Sequence, residues 1–204
     1  MNHVQTFNQA YLAPENVAIE LQHLDINKVL RERYKCSAQF QMTKTLLWDM
    51  EVKKASRPDL FIPTVVKAGT AVSWGNQSVD NIDTFIRVSE QKLWLKPSMR
   101  GTVIENVHVD HHLHKVTFIG ELTTTSPDYG TFQASTEQDI FHVQHGVIGE
   151  ENNPLNTWKI VHLSSEVRTG LEQKFKEMNE YQWLPEYIEI YIREVLGISI
   201  ERLV

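Results

Sequence analysis

The run Thr157-Trp158-Lys159-Ile160-Val161-His162-Leu163-Ser164 alternates large and polar residues along its length, and two longer stretches, 100–124 and 130–145, alternate in the same way. A two-residue period is that of a strand with two distinct faces. The first third of the chain and the tail after residue 165 carry helical spacing instead. Strands gathered between helical segments predict an α+β fold, with one curved antiparallel sheet wrapped around helices. A sheet curved in that way encloses a pocket. Nothing in the sequence states what enters it.

The remaining elements follow from spacing and punctuation. Residues 1–14 read as an arm ending at Pro14. Val17, Leu21, Leu24, Val29 and Leu30 give partly helical spacing, interrupted at Asp25-Ile26-Asn27. Thr43 is a helix cap, and Leu46, Leu47, Met50 and Lys54 follow at steps of three and four. Arg57-Pro58-Asp59 is a turn, with a short helix after it. Residues 68–75 read as a first strand bounded by glycines. Ile82, Phe85, Ile86, Leu93 and Trp94 predict a helix ending near Pro97. A hairpin is expected over 102–109 and 115–124, then a long strand over 131–144. The glycine- and asparagine-rich segment 146–156 is expected to be a loop, followed by the last strand over 157–164. Two helices then close the chain, separated at Pro185.

Composition excludes several functions. The 204 residues suit one generous domain, and the net charge of −6 gives no general attraction to phosphate backbones, so no nucleic-acid partner is expected. No run of about 18 apolar residues is present, so no membrane partner is expected. The N-terminus lacks the basic start and apolar core of a signal peptide. One cysteine, Cys36, cannot form an internal disulfide, which fits a reducing compartment. The expected location is cytoplasmic. A phosphate-binding Gly-rich loop, a Gly-x-Ser-x-Gly elbow and a Cys-x-x-Cys pair are all missing.

The order of elements, with Leu46-Leu47-Trp48-Asp49-Met50-Glu51 in a first helix, Val72-Ser73-Trp74-Gly75 in a first strand, Phe85 in the next helix and Trp158-Lys159-Ile160-Val161-His162 at the end, resembles the NTF2-like superfamily, in its SnoaL-like branch. The resemblance implies a cone-shaped half-barrel closed by N-terminal helices, with extra C-terminal helices. It covers 43–165, leaving 1–42 as an N-terminal extension and 166–204 as a C-terminal one, packed on the same domain or on a partner subunit. Many members end His-x-His, whereas Ser164 stands at the second position here. A helix-grip, START-like fold is the rival. It needs a strand before Thr43, which Ser37 to Met42 could supply, and it does not accommodate the helix predicted after Trp74.

The implied function is that of a pocket protein with cofactor-free isomerase, cyclase or dehydratase chemistry on a small apolar molecule. The alternative is a non-catalytic ligand-binding or dimerisation domain. A small hydrophobic ligand and a homodimer are the expected partners, and no cofactor is expected. His162 is the first candidate for moving a proton, with His142 beside it and Asp49 or Asp139 assisting, because a neutral imidazole exchanges protons near neutral pH and a desolvated carboxylate becomes a base. Trp48, Trp74, Trp94, Tyr129, Phe132 and Trp158 are the candidates for the ligand's wall. Alternation alone does not determine which sheet face lines the cavity. The cluster His108, Asp110, His111, His112 and His114 falls on a predicted hairpin tip and lacks the spacing of known metal motifs, so no metal site is expected.

Overall fold

The computed structural model describes residues 2–203. The chain opens with α1 (His3–Leu12), β1 (Val17–Glu20), β2 (Leu24–Asp25), α2 (Ile26–Arg33) and β3 (Tyr34–Cys36). Two helices follow, α3 (Lys44–Ser56) and α4 (Pro58–Phe61). The strands β4 (Val72–Val79), β5 (Ile82–Lys92), β6 (Arg100–Asp110) and β7 (Lys115–Glu121) come next. A small hairpin, β8 (Thr123–Ser126) and β9 (Gly130–Gln133), precedes β10 (Phe141–Glu150) and β11 (Asn153–His162). The tail holds α5 (Arg168–Asn179), α6 (Glu186–Ile190), a π-helical turn over Tyr191–Val195 and β12 (Ile200–Arg202).

The main sheet is antiparallel, in the order β1-β11-β10-β7-β6-β5-β4, with β2 pairing onto β11. The α+β class and the large curved sheet expected from the sequence are present. The N-terminal segment joins the sheet: Val17 stands opposite His162 and Glu20 opposite Lys159. At the other end of the chain β12 pairs with β3.

Local chemistry explains the helices. Asn2 accepts from Gln5 N at 3.1 Å to start α1, Asp25 accepts from Lys28 N at 2.9 Å to start α2, and Thr43 Oγ1 accepts from Leu46 N at 3.1 Å to start α3. Pro58 sits in the first turn of α4, where its missing N–H costs nothing. Lys53 and Lys54 lie in the last turn of α3, on the favourable side of its dipole.

The helix expected over 82–96 is instead β5. Asp80 and Asn81 both have positive φ, 51° and 59°, and form the two-residue turn of a β4–β5 hairpin. On β5 both faces are covered. Ile86 and Val88 share the convex side, while Phe85 and Arg87 share the concave side. The run therefore carries apolar residues on both faces and loses the simple alternation of a half-exposed strand. Two other expectations also changed. The long strand over 131–144 is divided into β9 and β10 by a connection at 134–140, and the loop over 146–156 is the β10–β11 hairpin, with its turn at Glu151-Asn152.

Register fixes the faces. Phe141, Val143 and His145 of β10 stand opposite His162, Ile160 and Trp158 of β11, and all six share the concave side. Phe118 of β7 and Val107 of β6 continue that side. Helix α3 packs across it, on β10 and β11, and Leu47, Met50, Val107, Val116 and Ile188 form buried core there. The convex side is covered by α1, where Phe7 packs on Ile119 and Val161. No described helix is long and apolar enough to cross a membrane.

Candidate functional site

The concave face encloses a cavity of about 740 Å³. Its apolar wall is aromatic: Trp94, Phe118, Phe141, Trp158 and Trp183, with Leu24, Val143 and Met178 beside them. Trp94 stacks at tilted geometry on Phe175 of α5, 5.1 Å between centroids, and lies 6.0 Å from Trp158. The backbone N–H of Trp94 donates to Gln138 Oε1 at 2.6 Å, which ties the β5–β6 connection to the 134–140 segment.

Polar groups line the cavity where α3 meets the sheet: Lys54, Arg87, Glu105, His145, Asn156 and Tyr187. Behind them Glu51 is completely buried. Lys54 Nζ lies 2.7 Å from Glu51 Oε2, donates to His145 Nδ1 at 2.6 Å, and sits 3.8 Å above the Tyr187 ring. Asn156 Nδ2 donates to Glu51 Oε1 at 2.9 Å, and Tyr187 Oη donates to Asn156 Oδ1 at 2.9 Å. Arg87 forms a second pair. Its Nε and Nη2 donate to Glu105 Oε2 at 2.9 and 2.5 Å, its Nη1 donates to Ala55 O at 2.7 Å, and its guanidinium lies 4.7 Å from the centre of the Phe118 ring.

The charges of the first cluster follow from these contacts. Burial alone raises the Glu51 carboxyl, but Lys54 and then His145 outweigh it and bring the group down to about 2. Burial and the neighbouring Lys54 cation lower His145 to about 4. Burial also lowers Lys54, against the pull of Glu51. At neutral pH the arrangement is a carboxylate, an ammonium and a neutral imidazole. His145 Nδ1 lies between Lys54 Nζ, 2.6 Å away, and Glu51 Oε2, 3.1 Å away; with an ammonium as its nearer neighbour Nδ1 is assigned as the acceptor, which puts the proton of the neutral imidazole on Nε2. Among the described residues Nε2 makes no hydrogen bond, so it is a donor free to meet a molecule in the cavity.

The structure separates the residues singled out from the sequence. Trp94 and Trp158 line the cavity. Trp48 is buried at the other end of α3, donating from Nε1 to His111 Nδ1 at 3.2 Å. Trp74 stacks on Phe132 with centroids 5.8 Å apart, on the convex side of β4. Tyr129 is exposed in the β8–β9 turn. Asp49 is half-exposed, paired with Lys53, and accepts from Tyr191 Oη at 2.7 Å. His142 faces the convex side and accepts from Gly120 N at 3.1 Å. His162 shares the concave side with the cavity wall but lies behind Phe141, 5.4 Å between ring centroids, and is only 1% exposed. Neither of its ring nitrogens meets a partner among the described residues, and burial lowers it to about 4, with Asp139 pulling the other way. Asp139 stands in the 134–140 connection, on a separate small pit beside Phe141.

Sequence reasoning passed over Arg87, Glu105, His145 and Asn156, and it placed Glu51 and Lys54 on the first helix without choosing either for the site. One signal was present: His145 follows Phe141 and Val143 at steps of two, on the face later shared with Trp158. Near the hairpin tip His111 Nε2 pairs with Asp83 at 2.8 Å. Among the described residues no group of three or more His, Cys, Asp or Glu is placed to hold a metal ion.

No protein-family model and no curated protein matches this chain. Solved structures do. The Zhui aromatase/cyclase from Streptomyces sp. R1128 is similar at a TM-score of 0.54 and 9% identity, over 87% of this chain and 95% of that one. The di-domain aromatase/cyclase StfQ from the steffimycin biosynthetic pathway is similar at 0.45 and 10%, over 89% of this chain and 46% of that one. Ara h 8.0201 is similar at 0.44 and 9%, over 82% and 97%. The first of these establishes the likeness in fold: a pocket-containing α+β architecture. It agrees with the two features that set the rival helix-grip arrangement apart from the expected one. A strand does precede residue 43, but it is β1 and not residues 37–42, which form none, and a strand replaces the helix that stood against that arrangement.

Proposed function

We propose that this protein binds a small, largely apolar molecule in the cavity between the concave sheet face and the C-terminal segment. The observation that carries the reading is the cavity itself. A volume of about 740 Å³ lies within the ordinary span of ligand sites, and aromatic walls with a few convergent polar groups are what such sites are made of. The aromatase/cyclase named in the most similar of the structures above is an analogy in fold, which leaves the reaction open.

Proton transfer of the isomerase, cyclase or dehydratase kind is favoured by one further observation. Lys54 and His145 line the same cavity with their nitrogens 2.6 Å apart. His145 can give its Nε2 proton to a ligand oxygen while Nδ1 takes a proton from Lys54, so the imidazole ends neutral as the other tautomer. Lys54 is left as an amine beside Glu51. His162 enters such a scheme only after Phe141 and Trp94 move aside.

The test is a titration of tryptophan fluorescence with neutral steroid-like, terpenoid and polyketide-like ligands. Trp94 and Trp158 lie in the wall, so saturable quenching with one-to-one stoichiometry is expected for at least one class. A Val143→Trp variant, folded by circular dichroism, fills the cavity and is expected to lose the response. Failure of every class to bind, or unchanged binding by the variant, refutes the reading.

A further inference from the structure

The charges at the buried end of the cavity cancel in place. Glu51 is matched by Lys54, and Arg87 by Glu105, each pair within hydrogen-bond distance and buried. Elsewhere on the lining Lys92, Lys174, Glu177 and Glu186 sum to zero but form no ion pairs among the described residues. The buried end therefore holds no cation in excess to receive an anion. It does hold spare donors. A guanidinium has five N–H bonds. Those of Arg87 go twice to Glu105 and once to Ala55 O, which leaves two uncommitted. His145 keeps its Nε2–H. Lys54 is saturated by Glu51, His145 and the Tyr187 ring.

We infer that, within the binding reading above, the cavity selects uncharged hydrophobes carrying a hydrogen-bond-accepting oxygen, a ketone, aldehyde or alcohol, and rejects the corresponding carboxylates. A neutral oxygen takes the spare N–H groups of Arg87 and His145 and leaves both ion pairs intact. A carboxylate placed there adds a net negative charge to a desolvated, neutralised site beside Glu105 and Glu51. It must either remain uncompensated or draw Arg87 from Glu105, which strands a buried carboxylate instead. A site built for anions would carry an arginine or lysine without an acidic partner, and the pairing of Lys54 and Arg87 excludes that at the buried end.

Two matched ligand pairs test this: retinal against retinoate, and hexadecanol against palmitate, each titrated by tryptophan quenching at pH 7.5. Retinal and hexadecanol are expected to bind at least about tenfold more tightly than their acids. Glu105→Gln frees Arg87 from its partner and is expected to tighten retinoate about tenfold or more, narrowing or reversing the preference. Glu51→Gln, which frees Lys54, is the second variant should the first not fold. Equal binding of acid and neutral partner by the parent protein overturns the inference while leaving the ligand cavity standing. So does an unchanged ratio in a folded variant. No binding by any of the four compounds overturns the inference, and the binding reading falls with it only if the steroid-like, terpenoid and polyketide-like ligands above fail as well.

Discussion

Replacing Lys54 by methionine keeps most of the side chain's volume and removes its charge. The wild-type ammonium lies 2.7 Å from Glu51, 2.6 Å from His145 and 3.8 Å from the centre of the Tyr187 ring, and the residue is 3% exposed. The variant leaves Glu51 buried with Asn156 Nδ2 at 2.9 Å and His145 Nδ1 at 3.1 Å. Breaking a buried ion pair from one side costs about 3–5 kcal/mol. For a chain of this length that corresponds to a melting temperature lower by about 6–20 °C. The cost depends on pH in a definite direction. Lys54 is one of the groups that lower His145, so without it the imidazole binds a proton more readily and becomes the counter-ion of Glu51. The variant is therefore expected to lose less stability at pH 6 than at pH 8. Urea unfolding followed by tryptophan fluorescence measures both. A loss under about 1 kcal/mol, or an equal loss at the two pH values, would refute the charge assignment.

Two other outcomes follow from the same geometry. His162 has a folded-state value of about 4 against an ordinary 6.5, so the unfolded chain binds its proton first. Its contribution is complete above pH 6.5 and is lost as pH falls toward 4, amounting to about 3 kcal/mol. His162→Phe should flatten that limb of the stability profile, and a variant with the parent's slope between pH 6.5 and 4 would show that His162 is not desolvated. At Gly120 an added methyl would run into the Phe141 carbonyl oxygen and meet Ile140 Cγ2 at 3.0 Å. Gly120→Ala is accordingly expected to cost about 1–3 kcal/mol by thermal unfolding, through displacement of β10 from β7, and a neutral result would contradict the close approach of these strands.

Parts of this molecule were legible in the sequence for simple reasons. Helix α3 has a threonine cap and regular spacing from Leu46 onward, both local signals. The β6–β7 hairpin alternates cleanly and turns at polar residues. The face of β11 that carries Trp158, Ile160 and His162 follows from parity alone. β5 was unreadable because Val88 is buried on the convex side of the sheet while Phe85 packs against the core on the other, so Phe85, Ile86 and Val88 spell no single period. The Asp80-Asn81 turn was the cue that should have outweighed it. The site failed to show for a different reason. Glu51 and Lys54 look like ordinary solvated helix residues, and charged side chains are almost never fully buried unless paired. Their partners, His145 and Asn156, lie about 90 or more positions away, at separations of 94 and 105 residues from Glu51, and only the folded sheet brings them together. Trp48 and Trp74 were as plausible as Trp94 from composition. Which tryptophan faces the cavity depends on strand register, which a single residue cannot reveal.

A crystal of the protein under xenon pressure examines the hollow directly, since apolar walls accept the gas where packed side chains do not. Xenon density is predicted in contact with Trp94, Trp158 and Phe118. A crystal in which those rings close on one another and admit no xenon would contradict the existence of a ligand chamber.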